Sequence, residues 1–386
     1  MFLTRVSPIP YSDPWATPFD QRRAALLQGS PRVAYYYDRP DNSTFRYRAY
    51  NMIQVLRESG RGVGAAFFHL QEIEFLSNLI DQLDVLVICR ARYSEGLNRL
   101  ISRARSKGKR VLFDIDDLVF DCAFVPLVVN TLDQDLGDAN VWDAFFANAA
   151  RLGATLRLCD AAISTNEFLA TRLREWSGKP VAVIPNFLNR EQMDISSRIY
   201  QEKRARRFAR DRKVTVGYFS GTPTHNKDLQ IAAEALAHIM RRDRRLTLRI
   251  VGFMDLKGHL RGLEQRIELH PLQDFINLQR LVGEVEINIV PLQDNTFTNC
   301  KSELKYFEAG IAGTLSIASP THTYQSAIRD GENGFLAKAY EWEAKIQSVL
   351  DRLGDYPTMA ERAYADCEQR YGWKHQLGVI DRAVFG

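Results

Sequence analysis

The sequence predicts an α/β protein made of two doubly wound domains in tandem. Short apolar segments of strand length alternate with segments of helical periodicity, the alternation stops in a charged segment near position 200, and then it begins again. A length of 386 residues fits two domains of ordinary size. Ligands of such sheets bind where the strands end, so two facing domains would enclose a central cleft.

The first series of elements covers residues 31–190. Its predicted strands are short, buried apolar runs: Arg32–Tyr37, Val63–Phe68, Asp84–Cys89, Arg110–Asp114, Ala161–Ser164 and Val181–Pro185. Its predicted helices carry apolar residues at helical spacing: 46–59, 72–83, 96–107, 138–160 and 166–176. Residues 1–30 are predicted to form an extended arm before this domain.

The second series covers residues 213–370. Its predicted strands are Val214–Tyr218, Leu246–Val251, Ile267–His270, Glu286–Pro291 and Leu315–Ala318. Its predicted helices are Lys227–Arg242, Gln273–Leu281, Glu303–Gly310, Tyr340–Leu353 and Tyr356–Tyr371. The last segment, residues 371–386, could cross back to the first domain.

Positive charge is concentrated in one band. Lys and Arg exceed Asp and Glu by only four over the whole chain, yet residues 201–250 alone carry a net charge of +8. Seven of these basic residues lie in Lys203–Lys213, which overlaps the end of a predicted linker (residues 191–212) that has no clear core face. A solvated linker explains the band, and so does attraction to an anionic membrane surface or a lipid-diphosphate acceptor. Nucleic-acid binding is not favoured, because the aromatic residues are not interleaved in the pattern of base stacking and no RNA- or DNA-binding motif is present.

The cysteine pattern and the apolar runs predict a cytoplasmic protein. Five widely spaced cysteines without a C-x-x-C pair are typical of reduced thiols and not of a zinc site. The first 13 residues lack the apolar stretch of a signal peptide. The longest apolar runs fall far short of the roughly 20 residues that cross a bilayer, so only peripheral contact with the inner face of a membrane stays open.

Two short motifs suggest a dinucleotide-binding loop and a metal site, but their sequence context does not favour either function. The glycines of 60–64 follow a helix and precede a strand, which is the reverse of a dinucleotide-binding loop, so they are interpreted as a helix end and turn. The segment Asp114-Ile115-Asp116-Asp117 could hold Mg²⁺ or Mn²⁺, or it could cap the next element and bind sugar hydroxyls. No further ligands lie nearby in the sequence, so we expect no metal. No serine elbow or H-E-x-x-H motif supports a hydrolase.

The first motif with chemistry is the loop between a predicted strand and helix, residues 217–228. Ser220, Gly221, Thr222, Thr224 and His225 are small or polar, so backbone N–H groups could approach an anion there. At the helix start, Lys227 would add a full positive charge. A phosphate cradle and an ordinary capped turn explain this loop equally well.

The second motif is residues 299–319, where a helix is followed by an apolar strand. Lys301 and Ser302 stand at the predicted helix start and could also meet phosphate. Glu308 follows Lys301 by seven residues, which puts both on one helix face. One helix could therefore serve a diphosphate and the vicinal hydroxyls of a ribose. The alternative for Glu308 is a surface charge, which its apolar neighbours Tyr306 and Phe307 disfavour.

Together these segments resemble the GT4 type of GT-B glycosyltransferase, with two Rossmann-like domains. The matching segments are SGTPTHNKD (220–228), NCKSELKYFEAGIAG (299–313), DGENGF (330–335), RVLFDIDDLVFD (110–121) and CDAAISTNEFLATRLREWSGKPVAVIPN (159–186). The resemblance covers roughly residues 32–375. It is closest in appearance to bacterial enzymes of O-antigen, capsule and rhamnose-polysaccharide synthesis.

The resemblance implies roles for individual residues. Lys227 would neutralise the donor diphosphate, the backbone of Gly221 and Thr222 would touch it, and Glu308 would hold the nucleotide ribose. The family's first glutamate falls at Cys300 in this sequence, so Lys301 and Ser302 would take over part of its contact with the donor sugar. Arg46 or Arg48 could reach the diphosphate across the cleft, or one of them could pair with an acidic neighbour.

The implied function is transfer of a hexosyl or deoxyhexosyl group from a nucleotide-diphosphate sugar to a glycan or lipid-linked glycan. GT4-like enzymes retain anomeric configuration, and with these cations no metal cofactor is expected. Asp116 and Asp117 are candidates for contacts with sugar hydroxyls, and the weaker candidates for a general base. The alternatives are a non-catalytic GT-B-like subunit that binds a sugar nucleotide or scaffolds a synthase, and a sugar-nucleotide epimerase, which the Lys227 and Glu308 motifs fit poorly.

Overall fold

The computed structural model describes residues 1–4, 6–221, 226–252 and 258–386, which form two α/β domains. The strands of the first domain are β1 Arg32–Tyr37, β2 Gly64–His69, β3 Val85–Cys89, β4 Arg110–Asp114, β5 Ala161–Ser164 and β6 Val181–Val183. Its helices are α1 Phe19–Leu27, α2 Asn51–Glu58, α3 Ile73–Leu79, α4 Glu95–Ser106, α5 Val125–Thr131, α6 Ala139–Leu158 and α7 Glu167–Ser177. A five-residue π-helical turn, Arg46–Tyr50, leads into α2.

Helix α8, Arg190–Ala205, joins this domain to the second. The second domain has strands β7 Val214–Ser220, β8 Leu246–Gly252, β9 Ile267–His270, β10 Ile287–Val290, β11 Leu315–Ala318 and β12 Phe335–Leu336. The remaining helices are α9 Asn226–Arg242, α10 Phe275–Glu284, α11 Thr296–Asn299, α12 Leu304–Gly310, α13 His322–Ala327, α14 Trp342–Asp351, α15 Tyr356–Tyr371 and α16 Leu377–Phe385.

Each domain is built on a parallel six-stranded sheet. The strand orders are β2-β1-β3-β4-β5-β6 and β12-β11-β10-β7-β8-β9. All five residues of β3 are buried, as expected for a central strand with helices on both faces. The strand order reverses between β1 and β3 in the first sheet and between β7 and β10 in the second. Ligands of such sheets bind in the crevice at the carboxyl ends of the two strands that flank this switch point. The predicted fold class is confirmed.

The prediction that the linker has no core face is wrong. Residues 190–205 form α8, and Ile195, Ile199 and Tyr200 lie buried on one side of it. The helix begins at Asn189, whose side chain accepts a hydrogen bond from the Gln192 backbone N–H. The inward stripe also contains buried polar residues, which hide the apolar periodicity from a sequence reading.

The first 30 residues are not simply extended. They contain α1, and Phe2 is buried in the core of the second domain against Phe208 and Tyr356. At the other end of the chain, α16 packs on the first domain, where Ile380 and Val384 join a core cluster on one face of the first sheet. Among the residues described, no helix combines the length and apolar character that a membrane crossing requires.

Candidate functional site

A cavity of about 430 Å³ lies between the carboxyl ends of the two sheets. The loop after β1, Asp116 after β4 and Asn186 line it from the first domain. The ends of β7 and β8, α10 and α12 line it from the second domain. Both topological crevices therefore open into the same space.

One wall of the cavity is apolar. It consists of Phe219, Val251, Leu272, Phe275 and Leu278, all from the second domain. At the end of β8, Gly252 has φ +102°, and a Cβ there would lie 1.8 Å from the Ser220 carbonyl oxygen. Only glycine permits this close approach of β7 and β8. Such a wall can accept an aromatic ring.

Glu308, on α12, faces the cavity and is only 7% exposed. Its Oε1 atom accepts hydrogen bonds from the Tyr47 hydroxyl at 2.5 Å, from Gln192 Nε2 at 3.1 Å and from Arg46 Nη2 at 3.4 Å. Burial, together with the Glu308 charge, raises the pKa of Tyr47 well above its ordinary value, so its hydroxyl stays a donor. No described residue donates to Oε2, which leaves that oxygen for a ligand.

The sequence gives no reason to distinguish Arg46 from Arg48, but their surroundings in the structure differ. Arg46 lines the cavity, and its guanidinium also lies 4.6 Å from the centroid of the Phe275 ring. Arg48 is only 1% exposed and binds Asp114 through Nε at 2.8 Å and Nη2 at 3.0 Å. Its Nη1 donates to the Ile184 carbonyl. Arg48 therefore cannot reach a diphosphate, and the pairing with an acidic neighbour is correct for it.

Asp116 and Asp117 follow β4 and are both held by Arg90. Asp116 lines the cavity and accepts from Arg90 Nη1 at 2.6 Å and from the Thr44 hydroxyl at 2.8 Å. Burial alone would raise the pKa of Asp116, but the Arg90 charge and these hydrogen bonds lower it below its ordinary value. Asp117 turns towards the second domain, 3.6 Å from Lys301 Nζ. Within the described ranges, no three His, Cys, Asp or Glu side chains are grouped as metal ligands.

The two lysines expected at the diphosphate do not line the cavity. Lys227 Nζ donates to the Asn130 carbonyl at 2.8 Å and lies 3.3 Å from Asp133, both in the first domain. Lys301 Nζ lies over the Phe297 ring and beside Asp117.

The other loop residues divide into three groups. Ser220 and Gly221 line the cavity, whereas the buried hydroxyl of Ser302 lies outside it. The predicted ligands Thr222, Thr224 and His225 lie outside the described residues.

Cys300, at the position of the family's first glutamate, is fully buried. It belongs to a core cluster of the first domain, and its carbonyl accepts a hydrogen bond from Asn166 Nδ2 at 2.8 Å. Burial raises the pKa of its thiol to about 12. The side chain therefore packs between the domains and does not line the cavity.

Three residues at the site, Lys305, Tyr47 and Gln192, were not predicted from the sequence. Lys305 lines the cavity one helical turn before Glu308. Its spacing of three from Glu308 was a usable signal, because such residues share a helix face. The predicted position of Lys301 on the same helix is wrong, because α12 begins only at Leu304. Tyr47 and Gln192 come from other elements, 261 and 116 residues away from Glu308, and no local pattern could have found them.

Comparisons with known proteins agree with this architecture. HepE from Anabaena, in complex with UDP, superposes with a TM-score of 0.60 at 14% identity over 91% of this chain and 98% of that protein. Sucrose-phosphate synthase from Thermosynechococcus elongatus gives 0.59 at 15% identity over 91% and 96%. A TarM variant from S. aureus gives 0.55 at 14% identity over 81% and 58%. At these identities the likeness establishes the fold.

The sequence itself is similar to a known family over part of its length. No curated protein matches the chain significantly. The family model described as "Glycosyl transferases group 1" matches residues 213–355, the region that supplies the apolar wall and Glu308. The predicted resemblance to GT-B glycosyltransferases is thereby confirmed: the chain has the GT-B fold, and residues 213–355 match the model of the group 1 glycosyltransferases.

Proposed function

We propose that the protein is a retaining glycosyltransferase that moves a hexosyl or deoxyhexosyl group from a nucleotide-diphosphate sugar to a saccharide or lipid-linked glycan in bacterial surface polysaccharide synthesis. The observation that carries the proposal is the interdomain cavity, which combines an apolar wall with Glu308 inside a group 1 glycosyltransferase domain. The structural neighbour HepE was crystallised with UDP-glucose, which supports a nucleotide sugar as donor. Retention and the surface-polysaccharide role follow from the GT4 resemblance.

Different residues of the cavity would bind different parts of the donor. The nucleobase would lie on the wall formed by Phe219, Val251 and Phe275, and the ribose hydroxyls would donate to Oε2 of Glu308. Asp116, held ionised by Arg90, would accept from a sugar hydroxyl at the first-domain side. Closure of the two domains around the donor would exclude water that would otherwise hydrolyse it.

The test begins with binding. Thermal-shift measurements with UDP-, GDP- and dTDP-glucose should give stabilisation by at least one of them, because a ligand that binds only the folded state raises Tm. Glu308→Gln keeps an oxygen for Tyr47 but removes the charge. We expect it to weaken donor binding about tenfold, since hydrogen bonds to charged groups contribute about 1.5–3 kcal/mol.

The matched control is Glu332→Gln, an exposed glutamate that pairs only with Arg329 among the described residues. It should bind and transfer like the wild type. If none of the three nucleotide sugars shifts Tm, or if Glu308→Gln keeps full activity, the proposed donor site is wrong.

A second candidate is a non-catalytic subunit that binds a sugar nucleotide. The observation that favours it is Cys300, which replaces a glutamate and is buried away from the cavity. The two functions are separated by a product assay with radiolabelled donor. Binding without transfer and without donor hydrolysis would favour the second candidate.

Peripheral contact with an anionic membrane surface is part of the proposal. In the band Lys203–Lys213, the side chain of Lys203 is buried and donates to the Gly313 carbonyl, so it cannot contribute. Arg204, Arg207, Arg212 and Lys213 are exposed and could meet lipid phosphates at about 1 kcal/mol each. Such contact would bring a lipid-linked acceptor to the enzyme at the inner face of the cell membrane.

A further inference from the structure

The cations near the cavity are not equivalent. Lys227 and Lys301 are engaged by carboxylates of the first domain, Asp133 and Asp117, and neither lysine lines the cavity. Arg46 lines it, but its guanidinium donates to the Asn42 carbonyl, Gln192 and Glu308. Among the described residues Lys305 is the remaining cation on the cavity wall.

The ammonium of Lys305 is held in place without a carboxylate partner. It makes no hydrogen bond or ion pair with any described residue, and its Nζ lies 5.2 Å from the centroid of the Tyr218 ring. The backbone is anchored, because the Lys305 carbonyl accepts from Asn288 Nδ2 at 3.0 Å. The side chain thus presents a cation that has no partner among the described residues to a space bordered by Ser220 and Gly221.

We propose that Lys305 binds the diphosphate of the donor and stabilises the departing nucleoside diphosphate, in place of Lys227. This inference rests on the proposed function. In the transfer, the bond from the anomeric carbon to the β-phosphate oxygen breaks, and its electron pair stays on that oxygen. The acceptor hydroxyl oxygen bonds to the anomeric carbon and its proton passes to the departing phosphate. Lys305 keeps its own proton and contributes only charge.

The surroundings of Lys305 make its charge sensitive to pH. Burial lowers the pKa of Lys305 to about 8, opposed by attraction to Asp228 of α9 and to Glu308, and assisted by repulsion from Lys301. From the first domain, Arg46 and Asp116 face the same cavity. The ammonium is charged below pH 8 and is lost as the pH rises through 8, so diphosphate affinity should fall in that direction.

The experiment compares UDP, GDP and dTDP with the matching nucleosides by calorimetry at pH 7 and pH 9. The nucleoside carries the same base, so titration of the base cancels in the comparison. Lys305→Met should weaken binding of the best nucleoside diphosphate about tenfold or more at pH 7 and leave nucleoside binding within about twofold. Lys305→Arg should keep its diphosphate affinity at pH 9, where the wild type loses it, because a guanidinium stays charged.

Two further variants complete the test. Lys338→Met changes an exposed lysine of the same domain and serves as the matched control. Lys227→Met should cost less diphosphate affinity than Lys305→Met. If Lys305→Met binds like the wild type, the assignment of Lys305 is wrong while the proposed function stands.

The remaining outcomes are also decisive. If the wild type binds no nucleoside diphosphate, both proposals fail. If Lys305→Met does not fold, as circular dichroism would reveal, the wild-type pH profile and Lys305→Arg decide. A wild-type affinity that is equal at pH 7 and pH 9 would overturn the assignment.

Discussion

Arg46 and Arg48 stand two positions apart in one helical turn and have different roles. The side chain of Arg46 enters the cavity and meets Glu308 across the domain boundary. Arg48 enters the interior of the first domain, where Asp114 takes two of its hydrogen bonds. Burying two charges is costly, and the pair is tolerated because its geometry is bidentate and Nη1 donates to both the Ile184 carbonyl and Asn186.

Replacing Arg48 tests this structural role. Arg48→Met leaves Asp114 buried without a counter-charge, so we expect the free energy of unfolding to fall by about 3–5 kcal/mol, measured by urea denaturation. Arg48→Met with Asp114→Asn removes both charges and should recover part of the loss. A variant of unchanged stability that loses donor affinity would instead favour the diphosphate role.

At the residue scale, only part of the spacing in the sequence was informative. The helix face predicted to be shared by Lys301 and Glu308 is wrong, because α12 begins at Leu304 and Lys301 precedes it. The spacing of three between Lys305 and Glu308, both on α12, is the one that puts two side chains at the cavity. Spacing along the chain could not predict that Lys227 pairs with Asp133 and Lys301 with Asp117, because those partners lie in the other domain. Residue type alone does not determine which cation faces a ligand.

Elements with a continuous apolar run were the easiest to predict. Strands β1, β4, β5 and β11 have the bounds expected from the sequence, because their apolar runs end at polar or turn residues. Strand β9 also has its expected bounds, although Glu268 interrupts its apolar residues. Helix α8 was missed because part of its buried stripe is polar. Ser196 accepts from Gln279 at 2.6 Å, and Lys203 donates to Thr314, so hydrogen bonds replace apolar contacts there.

The packing of α8 on α10 gives a sharp test. A Cβ at Gly283 would lie 2.4 Å from Ile199 Cγ2, which requires one helix to shift. Gly283→Ala should therefore lower the free energy of unfolding by about 1–3 kcal/mol, although alanine is the better helix former. In an Ile199→Ala background the same change should cost much less. Stabilisation by Gly283→Ala in the wild type would contradict this packing.

At the scale of the whole molecule, the domains meet around the cavity through both apolar and polar contacts. Phe275, Phe297 and Cys300 of the second domain pack in core clusters of the first. Tyr47 and Glu308 form one contact, Asn166 and the Cys300 carbonyl another. Ion pairs at Lys227 and Lys301 lie towards the rim and are partly exposed. Partly exposed pairs contribute up to about 1 kcal/mol each, so the loss of both would shift the balance towards an open arrangement by roughly 2 kcal/mol at most.

Removing both rim carboxylates should loosen the arrangement. Asp117→Asn with Asp133→Asn abolishes the two ion pairs, and asparagine suits the positive φ of 55° at position 133. We expect a larger radius of gyration in X-ray scattering than for the wild type. Asp20→Asn with Asp143→Asn changes the net charge equally at exposed positions of the first domain and is the control. Equal radii in both double variants would show that the rim pairs do not hold the domains together.

The N-terminal segment packs in the second domain and the C-terminal helix α16 packs on the first. This arrangement affects where the chain could be cut into fragments that fold on their own. The region that matches the family model, residues 213–355, takes Phe2, Tyr200 and Phe208 into its core from one side and Met359 from the other. The first domain is completed by Ile380 and Val384. A fragment cut at either border would expose apolar surface that the other half normally covers. Loss of one half removes core residues from the other, so the two halves should unfold together in one cooperative step.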